Sequence, residues 1–124
     1  MKAFLVEDQP PIREELKTLI GLHCPDIELV GTAGSVVEAA RLIRTLGPEL
    51  LLLDIELPDG TAFDLLDIVG HPMRVIFITG SDAYAIRAFR YAAIDYLLKP
   101  VSVRELQEHK SLETIQIHTQ AIMA

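Results

Sequence analysis

Four leucines run without interruption into an aspartate and then a turn, in the stretch Glu49-Leu50-Leu51-Leu52-Leu53-Asp54-Ile55-Glu56-Leu57-Pro58-Asp59-Gly60. A strand with one face in water alternates apolar and polar residues; a run with no polar interruption must bury both faces. Periodicity alone fits a buried helix segment equally well. The short length and the Pro-Asp-Gly stop favour a strand of a parallel sheet covered on both sides. Asp54 then falls at the carboxyl end of that strand, the edge where open parallel sheets bind ligands. One carboxylate there is most often a turn or cap residue, so its meaning depends on what the other strands end in.

The rest of the chain repeats the pattern. Ala3–Val6 is a short apolar run that ends in Glu7-Asp8. Pro10 and Pro11 suit a first helical turn, and Ile12, Leu16, Leu19 and Ile20 recur at helical spacing. That helix should stop near His23-Cys24-Pro25, because proline disfavours helix in the residue before it. Ile27–Ala33 reads as a second strand, with Gly34-Ser35 as turn and cap. Val36–Leu46 reads as a second helix, ended by Gly47-Pro48. After the leucine run, Gly60–Val69 reads as a short helix and Arg74–Thr79 as a fourth strand. Ala83–Tyr91 then reads as a helix and Ile94–Leu98 as a fifth strand. Ser102 with Glu105 forms a capping-box pattern for a last helix.

Five strands alternating with five helices imply an α/β sandwich around a parallel sheet. At 124 residues, with 50% hydrophobic side chains, the chain is expected to form one domain over 1–110. Residues 111–124 are a tail to which the pattern assigns no structure: Thr114-Ile115-Gln116-Ile117-His118-Thr119 alternates β-branched residues and makes poor helix. The net charge of −7 argues against direct nucleic-acid binding by this chain. No apolar run approaches the ~20 residues of a membrane span, and the start lacks a signal peptide's apolar stretch. A cytoplasmic protein is expected. The single Cys24 reads as a small residue near a helix end.

Right-handed crossovers bring every strand's carboxyl end to one edge. That edge collects Glu7, Asp8, Asp54, Thr79 and Lys99. Three acids there repel one another and raise at least one pKa. A hard divalent cation removes that cost, and Mg²⁺ suits carboxylates completed by water and phosphate. Asp54 could then attack phosphorus, with Mg²⁺, Lys99 and the Thr79 hydroxyl each compensating one oxygen of the transferring group.

Taken together, the acidic pair, the aspartate after a leucine run, Pro58-Asp59-Gly60, Thr79 after the fourth strand and Lys99-Pro100 after the fifth resemble the receiver domain of two-component response regulators. The resemblance covers about residues 2 to 108. The segments Ile78–Phe89 and Ala93–Pro100 resemble the subfamily linked to LytTR-type DNA-binding output domains. What the resemblance implies is a doubly wound (βα)5, flavodoxin-like fold with strand order 2-1-3-4-5. Asp54 is then the phosphoacceptor for a sensor histidine kinase. Glu7, Asp8, Asp54 and the backbone carbonyl of Glu56 hold Mg²⁺, with Asp8 the more direct of the acidic pair. Thr79 and Tyr96 switch together, Lys99 pairs with the phosphoryl oxygens, and Lys99-Pro100 is cis. The fourth helix, fifth strand and fifth helix form the face that controls homodimerisation or an output domain that binds DNA. The chain is then no enzyme beyond catalysing its own phosphorylation and dephosphorylation. Glu7 in place of the commoner Asp, Gln9 in place of a frequent acid, and the tail depart from the family pattern.

Two other readings compete. One is a phosphorylation-independent interaction module with the same fold. The other is a haloacid-dehalogenase-like phosphatase, since Asp54-Ile55-Glu56 with Gly60-Thr61 faintly resembles that nucleophile motif; the inserted Leu57-Pro58-Asp59 counts against it. Tyr84 and Phe89 read as helix packing, in a region that can also serve as a partner face. His23, His71, His109 and His118 read as surface residues.

Overall fold

The computed structural model describes residues 1–70, 73–91, 93 and 95–107. The expectations for His71, Ile94, His109, His118 and the 111–124 tail lie outside the described residues. Five parallel strands form the sheet: β1 (Lys2–Val6), β2 (Glu28–Ala33), β3 (Leu50–Leu53), β4 (Arg74–Thr79) and β5 (Asp95–Leu98). They lie in the order β2-β1-β3-β4-β5, as the resemblance implied. The helices are α1 (Pro10–His23), α2 (Val36–Leu46), α3 (Ala62–Val69), α4 (Ala85–Arg90) and α5 (Val103–Gln107).

The leucine run shows why both faces are covered. Successive side chains of a strand point to opposite faces. Leu51 and Leu53 join the core that contains the buried residues of α2 and α3. Leu50 and Leu52 join the core that contains Leu16 and Ile20 of α1 and Leu106 of α5. Phe4 and Val6 of β1, and Val75 and Phe77 of β4, go with the first set, while Ala3, Leu5, Ile76 and Ile78 go with the second. Every residue of both cores is buried, so the sheet is a rigid platform for whatever its ends carry.

Among the described residues, four element starts differ from the sequence reading. The helix expected from Gly60 begins at Ala62. Gly60–Thr61 instead pairs antiparallel with Glu56–Leu57 as a small ribbon, and Thr61 is the true N-cap, with its hydroxyl on the Asp64 amide and the Asp64 carboxylate on the Thr61 amide. Thr61-x-x-Asp64 is itself a capping box, a stronger start signal than the glycine. The helix expected from Ala83 begins at Ala85, because Tyr84 has ψ 2° and sits in a turn. The first strand begins one residue earlier, at Lys2, and the second one residue later, at Glu28. Cys24 is the buried C-cap residue of α1, and Ser102 and Glu105 cap each other at α5.

Candidate functional site

β1, β3, β4 and β5 end side by side, and their next residues meet. Asp54 donates its backbone amide to the Val6 carbonyl at 2.9 Å, and Lys99 donates its amide to the Thr79 carbonyl at 2.9 Å. The sheet ladder thus continues by one residue on each side of the site and fixes where the side chains start.

Lys99 organises the charges at this edge. Its ammonium bonds to Glu7 Oε1 and, at 3.1 Å, to Asp54 Oδ2. Glu7 is 1% exposed and its other carboxylate oxygen accepts from the Gln9 amide at 3.2 Å. Burial works to lower the Lys99 pKa, but the hydrogen bond to Glu7 and the charge of Asp54 outweigh it and leave the pKa raised. Asp8 has its carboxyl raised, first by burial and then by its hydrogen bond to Glu7 and the Glu7 charge. The Lys99–Pro100 bond is cis.

One oxygen from each of Glu7, Asp8 and Asp54 lies within 4.8 Å of the others. Opposite ligands of Mg²⁺ are about 4.2 Å apart, twice a bond of about 2.1 Å. Three carboxylates against one ammonium leave two unbalanced negative charges, the charge of one divalent cation. The donor set therefore fits Mg²⁺. Both Glu7 oxygens are already engaged, and Asp8 and Asp54, not Glu7, line an open cleft of about 650 Å³. Those two are the side chains free to reach an ion there.

The remaining candidates from the sequence surround this cleft. Thr79 is 2% exposed and lines it with Gly80 and Ser81. Glu56 lines it too, but its side chain is exposed and accepts from the Tyr84 hydroxyl at 3.1 Å. Tyr96 is turned inward, and its hydroxyl donates to the Ser81 carbonyl. Burial pushes its pKa up to about 12. Tyr96 thus reaches the loop after Thr79 but does not line the cleft.

Some residues that shape the site carried no local signal. Asp59 accepts from the amides of Val36 at 2.7 Å and Val37 at 3.0 Å, so the loop after Asp54 caps α2 from outside. Those backbone donors hold the Asp59 carboxyl below the usual range. Arg13 donates to the Glu7 carbonyl at 2.9 Å and braces the acidic pair from α1. Phe89, read as packing, is instead 36% exposed. Asp8 does not cap α1; Gln9 is the N-cap residue. Each of these contacts joins residues on different elements, or depends on where a loop turns, and no periodic pattern records that.

The receiver-domain family model of response regulators matches residues 3–110. The chain belongs to that family. The receiver domain is 36% identical over 110 residues to the transcriptional regulatory protein BtsR of Salmonella typhi, an overlap of 87% of this chain and 46% of that protein. It is 38% identical over 111 residues to the sensory transduction protein LytT of Enterococcus faecalis, again 87% of this chain and 46% of the relative. The LytT match agrees with the subfamily read from the sequence. The receiver domain spans about half the length of these curated relatives. Among solved structures, the response regulatory domain of protein mrkE from Klebsiella pneumoniae superposes with a TM-score of 0.78 at 27% identity, covering 98% of this chain and 97% of that one. No helix among the described residues is long and apolar enough to cross a membrane.

Proposed function

We propose that this receiver domain accepts a phosphoryl group on Asp54 from a histidine of a sensor kinase, in a Mg²⁺-dependent reaction. The observation that carries the reading is the Lys99 ammonium shared between Glu7 and Asp54 beside an open cleft. Asp8 and Asp54, with Glu7 behind them and the Glu56 carbonyl, would hold Mg²⁺. When bound, the ion would offset the excess negative charge and polarise a phosphoryl oxygen. An Asp54 carboxylate oxygen forms the new bond to phosphorus. The bond to the donor nitrogen breaks, and its electron pair leaves with the imidazole. Lys99 supplies N–H donors to the oxygens of the arriving group, and the Thr79 hydroxyl supplies another. The chain is then a phosphoacceptor that catalyses no more than its own phosphorylation and dephosphorylation.

The same reading makes Thr79 and Tyr96 the switch and the α4–β5–α5 face its output, through a homodimer or a DNA-binding output domain. It makes residues 1–110 the receiver unit and 111–124 a tail. A cytoplasmic setting goes with a sensor kinase partner. Incubation with acetyl phosphate or beryllofluoride and Mg²⁺, followed by intact mass and size measurement, tests it. Wild type should gain one phosphoryl group per chain from acetyl phosphate, and Asp54→Ala should gain none. An Asp54→Ala chain that dimerises as well as wild type would instead favour the phosphorylation-independent module. Nothing in the site favours the phosphatase reading, since Glu56 is engaged with Tyr84.

A further inference from the structure

α4 is lightly anchored. It is six residues long, has no side-chain cap, and buries only Ala85 and Ala88. Besides its two buried alanines and the packing of the flanking tyrosine rings on Phe63, two hydrogen bonds and one cation–π contact tie it to neighbouring elements. The Tyr84 hydroxyl bonds to Glu56 at 3.1 Å, just before the helix. The Tyr91 hydroxyl bonds to Asp67 at 3.0 Å, just after it. Arg87 lies over the Phe63 ring at 4.4 Å, between them. The two tyrosine bonds differ in where they lead. Asp67 is an exposed residue of α3 and lines no part of the cleft. Glu56 lines the cleft two residues after Asp54.

We infer that Tyr84 is a positioning residue that holds the Glu56 carboxylate on α4 and so keeps a fourth acid out of the cation cleft. The Glu56 side chain has one carboxylate and two claimants. Held by Tyr84, it anchors the N-terminal end of α4 and leaves the cleft to Asp8 and Asp54. Released, it stands at the mouth of a site already two negative charges out of balance, where a divalent cation attracts it. The two outcomes exclude each other, so they are linked: whatever draws Glu56 toward the cation frees Tyr84, and freeing Tyr84 strengthens the hold on the cation. This couples the cleft to α4 by a route separate from Thr79 and Tyr96. It rests on the phosphoacceptor reading only for what the cation site serves; the coupling itself is read with Mg²⁺ alone.

The test uses Mg²⁺ titration by calorimetry and amide exchange by NMR, with Ala88 as reporter because its amide bonds to the Tyr84 carbonyl. Tyr84→Phe keeps the ring beside Phe63, whose centroid is 6.2 Å away, and removes only the hydroxyl. It should bind Mg²⁺ about two- to fivefold more tightly, the scale of one exposed charge pair, and exchange the Ala88 amide faster without metal. Glu56→Ala should speed that exchange equally but bind Mg²⁺ no more tightly than wild type. The double variant should match Glu56→Ala. Saturating Mg²⁺ should bring wild-type Ala88 exchange toward the Tyr84→Phe value. Tyr91→Phe should loosen α4 and leave the Mg²⁺ affinity unchanged.

Equal Mg²⁺ affinities for wild type and Tyr84→Phe overturn the inference and leave Asp54 phosphorylation standing. A tighter Tyr84→Phe that stays tight in the double variant also overturns it, because Glu56 is then not the intermediary. If wild type binds no Mg²⁺, the metal-dependent reading of the site falls and takes this coupling with it.

Discussion

Along the one face of the sheet that carries α2, α3 and α4, two flanks are built by opposite means. On one, α2 and α3 are fastened at every end. Ser35 and Asp59 cap the start of α2, Thr61 and Asp64 cap the start of α3, and left-handed Gly47 and Gly70 close both. Between the caps, Val36, Ala39, Ala40, Ile43, Ala62, Phe63, Leu65 and Val69 are buried. On the other, α4 has two small buried residues and turns Ile86 and Phe89 outward. Capping and apolar burial are short-range and hard to trade away; a tyrosine bonded to an exposed carboxylate exchanges readily with water. The contrast teaches that this receiver domain concentrates stability at one end of that helical layer and leaves the other end ready to move.

The largest expected effect comes from the residue that serves both flanks. Phe63 is fully buried in α3, and its ring meets Phe77 at 5.3 Å and Tyr91 at 5.0 Å. Phe63→Ala should lower stability by about 3–5 kcal/mol in urea unfolding, and should remove the footing of Arg87 as well. A loss under about 1 kcal/mol would mean that the firm flank is not held by burial.

Lys99→Met comes next. It leaves Glu7, with 1% of its surface exposed, facing Asp54 without a cation. A loss of about 3 kcal/mol at neutral pH is expected for stripping one partner from a buried pair. In wild type the raised Lys99 pKa has a definite sign. Its contribution is complete below the unfolded-state pKa of about 10.4 and disappears as pH rises through the higher folded value. Alkaline unfolding of Lys99→Met should therefore be flatter than that of wild type.

Asp59→Ala should cost about 1 kcal/mol, since Val36 and Val37 lose their acceptor. Because the folded Asp59 pKa is lowered, its contribution is present above the unfolded value of about 3.9 and fades as pH falls through the folded one. The difference between wild type and Asp59→Ala should thus shrink in acid. The smallest effect is expected from Phe89→Ser on the loose flank, within about 0.5 kcal/mol. A large loss there would show that α4 is better anchored than its buried residues indicate.

The sequence made the platform plain and its cross-connections obscure. Leu50–Leu53 and Arg74–Thr79 are unbroken apolar runs, so their ends, and with them Asp54 and Thr79, could be located to the residue. Glu7, Asp8 and Lys99 came by the same logic, because topology alone sends all strand ends to one edge. The start of α3 was readable too, but Gly60 drew attention from Thr61 and Asp64. Asp59 on α2, Arg13 on Glu7 and Tyr84 on Glu56 were not readable. Each joins residues brought together only once the chain has folded. Tyr84 in particular has the composition of a helix residue and the position of a turn.

The acids, the threonine and the lysine each hang from a strand of one hydrogen-bonded sheet, whereas α4 hangs from a few side chains at its rim. Warming should therefore detach the messenger before it dismantles the receptacle. A partly melted sample would keep its charged pocket assembled after the surface that α4 supplies had already gone.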